Sequence, residues 1–169
     1  MKAIAVRIAA VLALVAALFP TAVRAADNPA FWKHQVKGEF ATVLASLKAS
    51  LAAKQFLVSG EDNLAKGLEN NKQVFGADKW NTIGFKDVTV VHFCSLVFNQ
   101  EVFNLTMDWS TLCPFKVTVY TMKDKPGVVN LITVRPSYLL AKDPHPKAKE
   151  IGLKIENRIV EALREGSAP

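Results

Sequence analysis

The chain has 169 residues, half of them apolar, with 21 basic and 15 acidic side chains for a net charge of +6. That length suggests one domain. The excess of charge is concentrated at the start: Lys2, Arg7 and Arg24 lie in the first 25 residues with no acid among them, and beyond Ala25 only 18 basic residues face 15 acidic ones. A balance this mild, with no long run of like charge, argues against a nucleic-acid-binding surface.

Met1 to Ala25 has the parts of a cleaved secretory signal. Lys2 and Arg7 form a positive start, Ile8 to Phe19 is an unbroken apolar run, Pro20 breaks it, and Val23-Arg24-Ala25 supplies a cleavage site. The apolar run falls short of the ~20 residues that cross a bilayer, so a retained anchor is the lesser alternative. A periplasmic or secreted location is expected, with no membrane attachment after cleavage. The remaining chain of about 144 residues can bury roughly two-thirds of its unfolded surface, so a core can stabilise it without cross-links.

A leader over 26–35 is expected, then one domain over 36–165 and a tail over 166–169. The second half of Phe31-Trp32-Lys33-His34-Gln35-Val36-Lys37 reads as a first strand, ended by Gly38. Glu39 to Lys54 reads as a helix, because Phe40, Val43, Leu44, Leu47 and Leu51 share one face. Gln55 to Ser59 gives a short strand before Gly60. Glu61 to Val74 is weakly helical, with Gly67, Asn70 and Asn71 lowering the propensity. Phe75 to Lys86 reads as a loop holding Trp80.

Three runs rich in β-branched and aromatic residues follow: Val88 to Phe98, Leu112 to Met122 and Val128 to Val134. A short helix capped by Asn99 sits between the first two, and Lys123-Asp124-Lys125-Pro126-Gly127 joins the last two as a hairpin. Lys116, Thr118 and Tyr120 alternate with Phe115, Val117 and Val119, so one sheet face is packed and the other wet. Arg135-Pro136-Ser137 ends the sheet. Asp143 is the expected cap of a last helix striped by Ile151, Ile155, Ile159 and Leu163 and ended at Gly166.

This order resembles the DUF302 family, a domain of unknown function. The resemblance rests on the amphipathic first helix running through Lys54-Gln55-Phe56-Leu57-Val58 into a strand. It rests also on the strand ending at Phe98-Asn99 and on Leu112-Cys113-Pro114-Phe115-Lys116-Val117-Thr118-Val119-Tyr120 after a short helix. It covers about Val36 to Leu163. It implies an α+β, TBP-like fold: a curved antiparallel sheet in β-α-β4-α order with two main helices on one face. It implies no reaction.

Cys94 and Cys113 are the two cysteines. In an oxidising compartment they are candidates for a disulfide; two buried free thiols and a redox-active pair are the alternatives. As a redox pair they lack Cys-x-x-Cys spacing and an evident helix start beside them. His92 and Cys94 share a strand face and, with Cys113, make a candidate soft-metal or haem set. No Cys-x-x-Cys-His attachment motif accompanies them. A lone histidine in an apolar strand is more often a structural residue, and His34 and His145 read as solvated. Phe93, Phe98, Trp109 and Tyr120 are candidates for an aromatic pocket holding a small apolar ligand, set against ordinary core packing. The Gly-x-Ser-x-Gly elbow, the His-Glu-x-x-His helix and a glycine-rich phosphate loop are all missing. The expectation is a binding or accessory module rather than an enzyme, with no cofactor and with a homodimer as one option. The rival is a periplasmic redox or metal- or haem-handling protein using His92, Cys94 and Cys113.

Overall fold

The computed structural model describes residues 28–76 and 78–168; the proposed signal sequence lies outside them. The elements are β1 (Phe31–Lys37), α1 (Phe40–Ala53), β2 (Leu57–Asn63), α2 (Leu64–Asn70), α3 (Lys72–Phe75), β3 (Phe85–Cys94), α4 (Leu96–Phe103), a 3-10 helix (Met107–Leu112), β4 (Phe115–Met122), β5 (Val128–Val134), α5 (Pro136–Leu140) and α6 (Ala148–Gly166). The five strands make one open antiparallel sheet in the order β1-β5-β4-β3-β2. The expected α+β architecture is the one found.

Strand periodicity sorts the sheet into two faces. On the inner face stand Val91 and Phe93 from β3, Phe115, Val117 and Val119 from β4, Val129 and Leu131 from β5, and Trp32 from β1, all buried. The register sets Val91 beside Val117 and Val119 beside Leu131, so these side chains form continuous rows. Val43, Leu47 and Leu51 of α1 and Ile155, Ile159 and Leu163 of α6 close over them in the same core. Each such side chain contributes about 1.5–3 kcal/mol on leaving water.

The two long helices lie on one side of the sheet and against each other. Ser50 Oγ donates to the Ala162 carbonyl (2.8 Å), and Lys54 Nζ pairs with both Glu161 and Glu165 (2.7 Å each). Gly166, expected to begin a tail, is instead a buried contact with α1. A Cβ there would lie 2.8 Å from the Leu47 Cα. Ser167 beyond it is also buried, its hydroxyl donating to the Leu163 carbonyl (2.7 Å).

Several boundaries differ from expectation, each for a local reason. β1 takes in Phe31 to His34, assigned above to a leader, because that half pairs with β5 from Val134 to Leu131. β2 runs through Glu61, Asp62 and Asn63, read above as helical; these polar residues pair with Val91, Val90 and Thr89 on a solvated edge strand. β3 stops at Cys94. Ser95 is the residue before α4, so Leu96, Val97 and Phe98 are helical despite their strand propensity, and Asn99 lies inside the helix. The fourth strand starts at Phe115, after a 3-10 turn and a cis Cys113–Pro114 bond. The residue before α6 is Lys147 rather than Asp143, and α5 fills part of the connection. Glu39 is the cap of α1: its carboxylate accepts from the Thr42 amide (2.8 Å). That amide first, and the Ala41 amide next, hold the Glu39 carboxyl below its usual range.

Candidate functional site

Cys94 and Cys113 are joined as a disulfide, with Cα atoms 5.6 Å apart. The bond ties the end of β3 to the residues leading into β4 and brackets α4. Cys94 lies two residues before the start of α4, and Asn99 Nδ2, from the first turns of that helix, donates to Cys113 Sγ (3.2 Å). The helix start that the sequence hid therefore stands beside one of the two sulfurs.

The proposed metal set is not assembled. Both sulfurs are consumed by each other, and His92 Nε2 donates across to the Asp62 carboxylate on β2 (2.8 Å). Among the described residues no three His, Cys, Asp or Glu side chains come close enough to hold a metal ion. His34 is half-buried and stacks on Trp32, with ring centroids 5.5 Å apart. His145 is also half-buried, its Nδ1 accepting from the Lys147 amide (3.2 Å).

The four candidate aromatic residues are dispersed. Phe93 and Phe98 are buried on the inner side and cluster on Phe56, at centroid distances of 5.3 and 6.0 Å. Tyr120 points to the opposite sheet face, because it pairs with Val88 while Phe93 pairs with Phe115. Trp109, in the 3-10 helix, is held by its indole N–H to Asp143. That bond first, and the His145 amide next, keep the Asp143 carboxyl below its usual range. Asp143 thus anchors a loop where a helix cap was expected. Phe93 and Phe98 are core residues, Trp109 is an anchor, and Tyr120 lies on the outer face, so the four do not gather on one side of the sheet.

Concave space lies elsewhere, including at the end of the sheet where α1 begins. One cavity of about 640 Å³ is lined by residues including Glu39, Phe40, Lys86, Asp87, Thr121 and Lys123. A second, of about 300 Å³, adjoins it and shares Lys86, Asp87 and Lys123, adding Lys66, Trp80 and Phe85. Asp87 is fixed by Thr121, whose hydroxyl donates to its carboxylate (2.6 Å). Trp80 is edge-on to Phe85 at 5.8 Å and stacked on Phe75 at 6.2 Å. Among the described residues Lys66, Lys86 and Lys123 make no ion pair within 4 Å, unlike Lys48, Lys54, Lys72 and Lys154.

Sequence reasoning did not find this groove. Its signal was faint: Lys86-Asp87 starts one strand, Lys123 ends another, and only the β3–β4 pairing brings them together. A buried polar cluster was missed as well. Glu156 faces inward from α6 and accepts from Arg135 Nη1 (3.2 Å) and from Ser137 Oγ. Its position four residues after the buried Gly152 was the available cue.

A family profile for the domain of unknown function DUF302 matches residues 32–166. The chain belongs to the DUF302 family. One solved structure, an uncharacterized conserved DUF302 protein from Bacillus stearothermophilus, is 19% identical with a TM-score of 0.68. The alignment covers 82% of this chain and 98% of that one. That likeness shows a shared DUF302 fold. None of the curated proteins matches.

Proposed function

We propose that this DUF302 protein is an exported, non-enzymatic binding module for a small anionic ligand carrying an apolar or aromatic part. One observation carries the reading: Lys86 and Lys123 border both adjoining cavities and are not neutralised by an ion pair among the described residues. Trp80 and Phe85 supply an aromatic wall, and Lys66 stands at the far end. Small-ligand sites are concave and combine apolar walls with a few placed polar groups. The chemistry is therefore anionic rather than the purely apolar ligand expected from the aromatic content. Export is a separate part of the proposal and rests on the Met1–Ala25 sequence. A disulfide accords with it.

Thermal unfolding in the presence of benzoate, inorganic phosphate or neutral benzamide tests the ligand class, since a ligand that binds the folded state raises its apparent stability. Benzoate should raise the midpoint more than benzamide, and Lys86→Gln with Lys123→Gln should abolish the difference. Equal responses to all three probes, or a gain that survives both substitutions, would overturn it.

A second reading has its own observation. Asn99 donates to Cys113 Sγ, and Cys94 lies two residues before α4, so the disulfide sits beside a helix start. That placement supports reversible thiol–disulfide exchange: a partner dithiol reduces this bond and leaves as its own disulfide. Equilibration in glutathione buffers separates the two roles. A structural bond resists reduction until about −300 mV or below, whereas an exchanging one opens well above it. The metal- or haem-handling form of this reading has no donor set among the described residues.

A further inference from the structure

The groove at the end of the sheet owes two of its charges to an irregularity in β3. Phe85 pairs with Met122 and Val88 with Tyr120, so Lys86 and Asp87 together stand opposite the single residue Thr121. Two residues against one make a β-bulge, which re-aims side chains that would otherwise alternate between the sheet faces. Lys86 and Asp87 accordingly border the same two cavities. Beyond the bulge the Lys123 amide donates to the Gly84 carbonyl (2.9 Å), which brings Lys123 to the same place.

Thr121 holds the bulge and the carboxylate at once. Its hydroxyl accepts from the Asp87 amide (3.2 Å) and donates to Asp87 Oδ2 (2.6 Å). The carboxylate is fixed through that one oxygen. Oδ1 accepts no hydrogen bond among the described residues and is not sealed from solvent. The other acids lining the cavities are occupied: Glu39 accepts from the Thr42 amide of its own helix (2.8 Å), and Glu69 pairs with Lys72 (2.7 Å). Asp87 makes no ion pair within 4 Å among the described residues, with Lys86, Lys123 or any other cation.

A carboxylate held open beside two lysines repels a simple anion that approaches them. A ligand gains most there if it brings a cation for Asp87 along with an anion for the lysines. Lys86 and Asp87 are consecutive, with Cα atoms about 3.8 Å apart, so their opposite charges suit two opposite charges carried on one carbon. We propose that the ligand of this groove is a free α-amino acid with an apolar or aromatic side chain. Its carboxylate meets Lys86 and Lys123, its ammonium donates to Asp87 Oδ1, and its side chain lies against Trp80 and Phe85. The proposal rests on the anion site described above and adds a cation to its ligand.

Isothermal titration calorimetry of the whole signal-free chain tests it, with L-phenylalanine and with hydrocinnamate, the same molecule without its amine. Phenylalanine should bind about tenfold tighter, the order of effect of one charge-assisted hydrogen bond. Asp87→Asn keeps an acceptor for Thr121 and removes the charge. It should weaken phenylalanine about tenfold and tighten hydrocinnamate, so that the preference disappears. Circular dichroism monitors folding; if the variant does not fold, the order of the two affinities in the wild type decides by itself. Hydrocinnamate binding as tightly as phenylalanine, or tighter, would overturn the proposal and leave the anion site standing. A preference for phenylalanine that survives Asp87→Asn would overturn it as well, because the ammonium then lies elsewhere. If neither probe binds, the anion site falls and the amino-acid proposal falls with it.

Discussion

Val117 and Thr118 are neighbours on one strand and meet opposite worlds. Val117 is fully buried beneath α1 and α6, while Thr118 lies half-buried on a face that no helix in the core covers. The inner face accounts for the stability of this DUF302 domain: its rows of valine, leucine and phenylalanine interlock with two helices. The outer face carries apolar residues too, Val88, Val90 and Ile132 among them, and each is half-buried. A single antiparallel sheet tolerates one solvated face.

The sharpest test of this contrast is a matched pair of truncations. Ile159→Ala, in the sealed inner core, should cost about 2–5 kcal/mol in urea unfolding, because methyl groups are lost and a cavity is left. Ile132→Ala on the outer face should cost under about 1.5 kcal/mol in the monomer, because the site is open and no cavity forms. Equal losses at low protein concentration would erase the distinction between the faces.

Next in size is the cross-link at the end of β3 and β4. Opening Cys94–Cys113, 19 residues apart in sequence, should lower stability by roughly 3 kcal/mol on the chain-entropy model. Denaturant midpoints with and without reductant measure it. Because β3 and β4 remain paired, the reduced chain should still fold.

Gly166→Ala comes third. The added Cβ meets the backbone at Leu47 and the side chain at Ser50, so α6 must move off α1 at a cost of about 1–3 kcal/mol, read from thermal unfolding. Gly67→Ala, where a Cβ meets nothing within 4 Å, is the control. It should be neutral or slightly stabilising, since alanine is the better helix former.

The smallest effect concerns acid. Asp143 has a lowered carboxyl pKa in the folded chain, from the Trp109 indole N–H and the His145 amide. A carboxyl shifted that way adds stability above its unfolded value of about 3.9 and loses it as the pH falls through its folded value. Asp143→Asn should therefore lower stability near neutrality and flatten the acid limb of the pH–stability curve. An unchanged acid limb would mean that the Trp109 contact contributes nothing.

What could be read beforehand follows from how local each signal was. The β4 alternation, the Pro-Gly turn and the stripes of α1 and α6 are carried by neighbouring residues, and each led to the observed element. The misses are residues whose state depends on a distant partner. Glu61 to Asn63 look unlike a strand, and only β3 makes them one. Leu96 to Phe98 favour a strand by type, yet the chain turns at Ser95 and they become helix. Asp143 resembles a cap, but Trp109 claims it. The aromatic pocket failed for a similar reason, because strand parity sends Phe93 and Tyr120 to opposite sides once the register is known.

The sequence by itself determined that the middle of the chain would form adjoining strands, that two amphipathic helices needed a sheet to cover, and that its two cysteines were candidates for a disulfide. Periodicity and side-chain chemistry are written locally, so these features needed no coordinates. Only the tertiary structure decided that Lys86 and Lys123 share one groove and that His92 turns to Asp62. Each of those depends on registers between strands far apart in the chain, and strand pairing is settled by the whole sheet at once.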